Sequence, residues 1–172
     1  MRSALRQAGI GIAFMALSAV VGSAHAAVTV TFDKPDGYID AGQRGTLANA
    51  DDNMRELEGH LQRLGDKYLQ ADQALKIDVL GIDLAGDEHG GARTAGRDVR
   101  ILTGRADWPS IKLRYVLESN GKEIDRREET VSDMNYLRRT LIGSERLGYE
   151  KRMLEEWFRE RFAAPKAGEK TK

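Results

Sequence analysis

Asn120-Gly121 is the dipeptide that most constrains what this chain can fold into. It separates two runs of strand-forming residues, Ser110–Ser119 and Lys122–Val131. A type I′ turn needs positive φ at both central positions, and Asn-Gly meets that need at least steric cost, so the runs must fold back as a hairpin. A two-residue loop pairs Leu117 with Ile124, Tyr115 with Arg126 and Leu113 with Glu128. Ile111, Leu113, Tyr115 and Leu117 then share one face and demand a core. The return strand is dense in charge, as suits an edge strand guarded against aggregation.

The remaining elements supply that core. Val28–Asp33 alternates Val28, Val30 and Phe32 with polar residues and is expected to be a strand, closed by the turn Pro35-Asp36-Gly37. Ile39–Thr46 is polar, holds Gly42 and Gly45, and is expected to be a loop. Over Asn49–Leu69, the residues Met54, Leu57, Leu61, Leu64 and Tyr68 trace one apolar helical stripe. Asn49, Asp51 and Asp52 offer caps and negative charge at its start, and Gly59 suggests close packing on the sheet. Leu75–Leu84 begins as an alternating strand and turns apolar on both faces at Leu80, Ile82 and Leu84, which places it mid-sheet. Ala85–Gly96 is glycine-rich without a large apolar residue and is expected to be a mobile loop, with a short strand around Val99 and Ile101. Ser132-Asp133-Met134 can cap a short helix to about Leu141, with Gly143 as its stop. A last helix over Glu145–Phe162 carries the stripe Tyr149, Met153, Leu154, Trp157, Phe158 and Phe162, with Lys151, Glu155, Arg159 and Glu160 opposite. The expected fold is α+β: a mostly antiparallel sheet of about four strands with two long amphipathic helices on one face, the first strand and Leu75–Leu84 joined by a parallel crossover.

The N-terminus gives an address. Arg2 and Arg6 precede the apolar run 8–21, and Ala24-His25-Ala26 places small residues where a signal peptidase cuts, so residues 1–26 are expected to be a cleavable signal peptide. The run is shorter than the ~20 residues needed to span a bilayer as an anchor. No cysteine follows it, which excludes a lipid anchor at this site. Residues 27–163 are expected to form a single domain, with 164–172 a disordered tail, in the periplasm or secreted, without stable membrane insertion after cleavage. The chain contains no cysteine, so disulfides, zinc–thiolate sites and a cysteine nucleophile are excluded and the domain must hold by its core. Lys and Arg total 27 against 27 Asp and Glu, a balance that argues against a general nucleic-acid binder.

Several clusters invite a chemical reading, and each has a plainer one. Asp83, Asp87, Glu88 and His89 offer oxygen and imidazole ligands, but their spacing matches no metal motif and a solvated acidic loop accounts for them. Arg93, Arg97, Arg100 and Arg105, interleaved with Gly90, Gly91 and Gly96, suggest an anion cradle, yet the glycines fit neither nucleotide-binding pattern. Asp33, Asp36 and Asp40 around Tyr38 suggest an acid–base pair, but such residues also serve as turn formers. His60 sits on the flank of the first helical stripe, where a partly buried structural role is expected. The aromatic stripe of the last helix is expected to be core, because its polar face mixes both charge signs where a membrane-surface helix favours Lys and Arg. No catalytic, cofactor-binding or metal residue is assigned, and no cofactor is expected.

The runs VTVTFDKPDGYID (28–40), LKIDVLGIDLAGD (75–87), WPSIKLRYVLESNGKEI (108–124), SDMNYL (132–137) and YEKRMLEEWF (149–158) resemble, in order and content, the bacterial exported family catalogued as domain of unknown function 3016. The resemblance covers nearly all of the chain after the leader. It implies a small secreted or periplasmic α+β protein and brings no activity, ligand or catalytic residue. Three functions stay open. The first is a non-enzymatic module binding an envelope protein or glycan. The second is a small-ligand or metal-binding module on the 83–105 loop, and the third a hydrolase using an acid pair among Asp33, Asp36 and Asp40.

Overall fold

The hairpin forms where Asn-Gly places it, with Asn120 at φ 51° and Gly121 at φ 75°. In the computed structural model, residues 26–38, 47–88, 100–104, 106–138 and 145–163 are described. The elements are β1 (Ala27–Phe32), α1 (Leu47–Tyr68), β2 (Gln73–Asp83), β3 (Asp87–Glu88), β4 (Arg100–Ile101), β5 (Ser110–Ser119), β6 (Lys122–Ser132) and α2 (Gly148–Phe162). Single 3-10 turns lie at Pro35–Gly37 and Tyr136–Arg138. The main sheet has the order β1-β2-β5-β6. β1 runs parallel to β2 through the α1 crossover, and the other pairs are antiparallel. The α+β architecture, with a mostly antiparallel four-stranded sheet and two helices, is as expected. β3, inside the segment expected to be a loop, forms a separate small ladder with β4, which lies where the short strand around Val99 and Ile101 was expected.

The hairpin register differs from the expected one. Ser119 pairs with Lys122 and Glu118 with Glu123, but Leu117 then faces Asp125, Tyr115 faces Arg127, Leu113 faces Glu129 and Ile111 faces Val131. Ile124 is the extra residue of a β-bulge and is 53% exposed. A shift of one residue exchanges the faces of the strand. Arg126 and Glu128 therefore move to the outer face, while Asp125, Glu129 and Val131 turn toward the helices. The physical return is twofold: Val131 is buried, and Asp125 Oδ2 accepts a hydrogen bond from the fully buried Tyr115 hydroxyl at 2.8 Å.

A second bulge corrects the reading of β2 as apolar on both faces. Val79 pairs with Leu113 and Gly81 with Lys112, so Leu80 is the extra residue. Beyond it Ile82 pairs with Ile111 and returns to the core face. The outer face of the sheet is a charged lattice of Lys112–Glu128 at 2.9 Å, Arg114–Asp78 at 3.1 Å and Lys76–Glu118 at 2.6 Å. Such exposed pairs add little stability and keep that face wet.

The inner face carries the core. Leu57, Leu61 and Leu64 of α1 and Met153, Leu154, Trp157 and Phe158 of α2 bury against Val30, Leu75, Ile77, Val79, Leu113 and Tyr115. Tyr115, Trp157, Phe158 and Phe162 meet edge to face, as in Tyr115–Trp157 at 5.8 Å and Trp157–Phe158 at 5.2 Å between centroids.

Several local expectations need correction. α1 starts at Leu47, so Asn49, Asp51 and Asp52 lie inside its first turns instead of capping them. Gly59 does not approach the sheet, since a Cβ there would meet Arg63 of its own helix. Gly65 does: a Cβ there would overlap Val28 Cγ2 of β1. Lys151 and Glu155 do not face solvent alone. Lys151 pairs with Glu56 at 2.7 Å and Glu155 with Lys67 at 2.6 Å, forming a polar seam between the helices. The segment after Ser132 forms a 3-10 turn in place of a helix, and 139–144 lie outside the described residues. α2 starts at Gly148, after Leu147 turns the chain with φ 56°. Ala85 and Gly86, expected in a mobile loop, are buried, and Glu150 Oε1 accepts the Ala85 N–H at 2.8 Å.

Candidate functional site

The bulge in β6 determines what stands beside α2. Because Glu129 faces the helix side, its carboxylate meets α2 at two points. Trp157 Nε1–H donates to Oε1 at 2.8 Å and Arg161 Nη2 donates to Oε2 at 2.6 Å. These bonds satisfy the indole N–H of a nearly buried tryptophan and hold α2 to the strand through polar groups. A cleft of about 380 Å³ opens next to this tether, between Glu129–Asp133 of β6 and its C-terminal end and a stripe of α2. The stripe consists of Met153, Glu156, Trp157, Glu160 and Arg161, at helical spacings of three and four. The volume falls in the range of ordinary ligand pockets.

Charge and backbone define what this cleft can do. Four carboxylates, Glu129, Asp133, Glu156 and Glu160, line it against the single guanidinium of Arg161. Asp133 Oδ1 accepts the Asn135 N–H at 2.9 Å, and Arg159 donates to Glu156 at 3.2 Å. The lining is thus net acidic and partly ordered. β6 is the last strand of the sheet and, among the described residues, has only β5 as a strand partner. In an antiparallel edge strand every second residue points its N–H and C=O away from the sheet. An acidic cleft alongside such an edge is suited to hold a cationic, extended segment.

The clusters singled out from sequence fall elsewhere. Asp33 and Asp36 belong to the chain reversal after β1: Asp33 N–H donates to Val79 O, and the 3-10 turn holds Asp36. Tyr38 OH donates to Val79 O at 2.8 Å, and burial, with Asp33 nearby, pushes its pKa up to about 12. Asp40 lies outside the described residues. Asp83 ends β2 opposite Ser110, and Asp87 and Glu88 form β3. His89, Arg93, Arg97 and Arg105 lie outside the described residues, and Arg100 is in β4. Among the described residues no group of three or more His, Asp or Glu is placed to hold a metal. His60 bridges the helices, its Nε2 bonded to Lys151 O at 2.9 Å. Burial holds its pKa below the usual imidazole value, with Arg63 and Lys151 acting in the same direction.

A second polar cluster lies at the end of the sheet near Gly86. Asp107 Oδ2 accepts bonds from the Thr103 N–H and hydroxyl and from the Gly104 N–H. Burial opposes its charge, but these bonds outweigh burial and leave its pKa lowered. Asp107 O also accepts the Gly86 N–H at 2.9 Å, so this cluster latches the return into β5.

The cleft as a group was not visible in the sequence, where Met153 and Trp157 read as core, Glu160 as part of a polar face and Asp133 as a cap. Glu129 reads as one charge among many on an edge strand until the bulge assigns its face. Glu156 and Glu160 could have been found, since they flank Trp157 and border the apolar stripe of α2 on one side.

Residues 26–160 match the family model described as protein of unknown function (DUF3016), and the chain belongs to that family. No curated protein and no solved structure matches it.

Proposed function

We propose that this chain is an exported, non-enzymatic binding module of the bacterial envelope, and that it holds another envelope component in the cleft between β6 and α2. The observation that carries this reading is the cleft itself: about 380 Å³ of space, lined by four carboxylates, at the open edge of the sheet. The leader pattern over residues 1–26 supports export, with release after Ala26 into the periplasm or medium. The polar tether of Trp157 and Arg161 to Glu129 supports binding over chemistry. It engages both oxygens of the carboxylate, at 2.8 and 2.6 Å, and so occupies it structurally.

A photo-cross-linker placed at Glu160, in the full chain expressed with its own leader, tests the reading in cells. It is compared with the same group at Gln62, on the exposed side of α1. The expected result is a discrete adduct in the exported fraction from position 160 and none from position 62. Retention of the protein inside the cell, or the same adduct pattern from both positions, would overturn the proposal.

A further inference from the structure

Resting on that reading of the cleft, we infer that its occupant is a basic, extended peptide segment that adds to β6 as a fifth strand. The inference joins three features of the same place. First, β6 ends the sheet, and the strand residues of the cleft, Glu129–Ser132, belong to this edge. An edge strand offers unpaired donors and acceptors at every second residue, and recognition by strand addition takes its affinity from them. Second, α2 runs beside that edge and supplies a wall, so an added strand would be held on a second side. Met153 and Trp157, both buried in the core, form the apolar floor of the wall, and Glu156 and Glu160 form its more exposed charged part. A strand that alternates apolar and charged residues presents one set to the wall and the other to solvent or rim. Third, the charge has a sign. Beside the Glu129–Arg161 pair, Asp133, Glu156 and Glu160 leave the lining net negative, which favours lysine or arginine side chains over acidic ones.

The edge is defended against this protein's own copies by the same features. Asp125, Arg127 and Glu129 share the inward face of the edge, and the bulge at Ile124 breaks its regularity at the hairpin end. The Glu129–Ser132 portion, beyond the bulge, keeps a continuous antiparallel register with Leu113–Ser110. That is the part bordered by the cleft. A second copy of β6 carries Glu123, Asp125, Glu128 and Glu129 against Lys122, Arg126 and Arg127, so it would add net negative charge to an already acidic site, whereas a basic strand would relieve it.

Titration calorimetry on the exported chain tests this with three blocked peptides: alternating lysine and valine, alternating glutamate and valine, and the lysine–valine peptide with alternate backbone amides methylated. The lysine–valine peptide is expected to bind, more weakly as salt rises, and the glutamate–valine peptide not to bind. Backbone methylation should weaken binding roughly tenfold or more, because it removes ladder donors. The double variant Glu156→Gln/Glu160→Gln should lose affinity by a similar factor while melting as the native chain does. Equal binding of the methylated peptide, or no binding of the lysine–valine peptide, overturns the inference. If the Glu160 cross-link still forms in either event, the binding reading survives and only the identity of the occupant fails. Loss of both results removes the two together.

Discussion

The two helices meet the two edges of the sheet in opposite ways. α1 lies on β1 by backbone approach: Gly65 leaves no room for a Cβ against Val28, and the seam is closed. α2 reaches β6 through polar side chains, with Glu129 bonded to Trp157 and Arg161, and the cleft lies beside them. β1 is a short edge of six residues, while β6 has eleven and carries charge on both faces. The comparison teaches that one seam closes by backbone approach while the other is spanned by polar side chains. A closed apolar seam covers an edge, and a polar seam holds a helix at side-chain distance, where a groove can form.

Four substitutions or conditions break or sharpen this contrast, from the largest effect to the smallest. Trp157→Ala removes the side chain that links the cleft wall to the core, and should cost about 3–5 kcal/mol in denaturant unfolding. An unchanged midpoint would mean that Trp157 serves a binding surface and not the core. Gly65→Ala forces a methyl group into Val28 and should cost about 1–3 kcal/mol, whereas Gly59→Ala, facing only the Arg63 side chain, should be neutral or slightly stabilising. Equal effects at the two glycines would refute the closed seam. Glu129→Gln keeps an acceptor for Trp157 but removes the charge paired with Arg161, so a cost near 1 kcal/mol is expected.

The smallest effect is a pH dependence at the α1–α2 seam. Burial disfavours protonated His60, and its pKa lies below the ordinary 6.5. The unfolded chain therefore binds the proton first as pH falls below about 6.5, and stability declines from there down to the lower folded pKa. Of the groups around it, the Lys151 carbonyl and Glu155 favour the imidazolium, while the charges of Arg63 and Lys151 oppose it. His60→Gln should flatten this part of the stability profile, as thermal melts between about pH 7.5 and about pH 5.5 will show. A profile of unchanged slope would place the titration elsewhere.

Much of the fold was legible because it follows local rules. Asn120-Gly121 marked the hairpin, the spacing of Leu57, Leu61 and Leu64 marked α1, and the stripe from Met153 to Phe158 marked α2. The two bulges were not legible. Leu80 and Ile124 are apolar residues within strand-like runs, and periodicity alone gives no reason to eject either from the ladder. The inserted residue is decided by tertiary needs: Tyr115 requires an acceptor, which Asp125 provides only in the shifted register. The same shift turns Glu129 toward α2, so the cleft was hidden with it. Gly65 was overlooked for a related reason, since its close approach to Val28 depends on where the crossover lays α1 on β1.

Amide hydrogen exchange of β6, measured with and without the lysine–valine peptide, tests the central claim most directly. The claim predicts that protection rises at alternate residues of Glu129–Ser132, because only every second N–H points to the added strand. Uniform protection along β6, or none, with the peptide bound would contradict it.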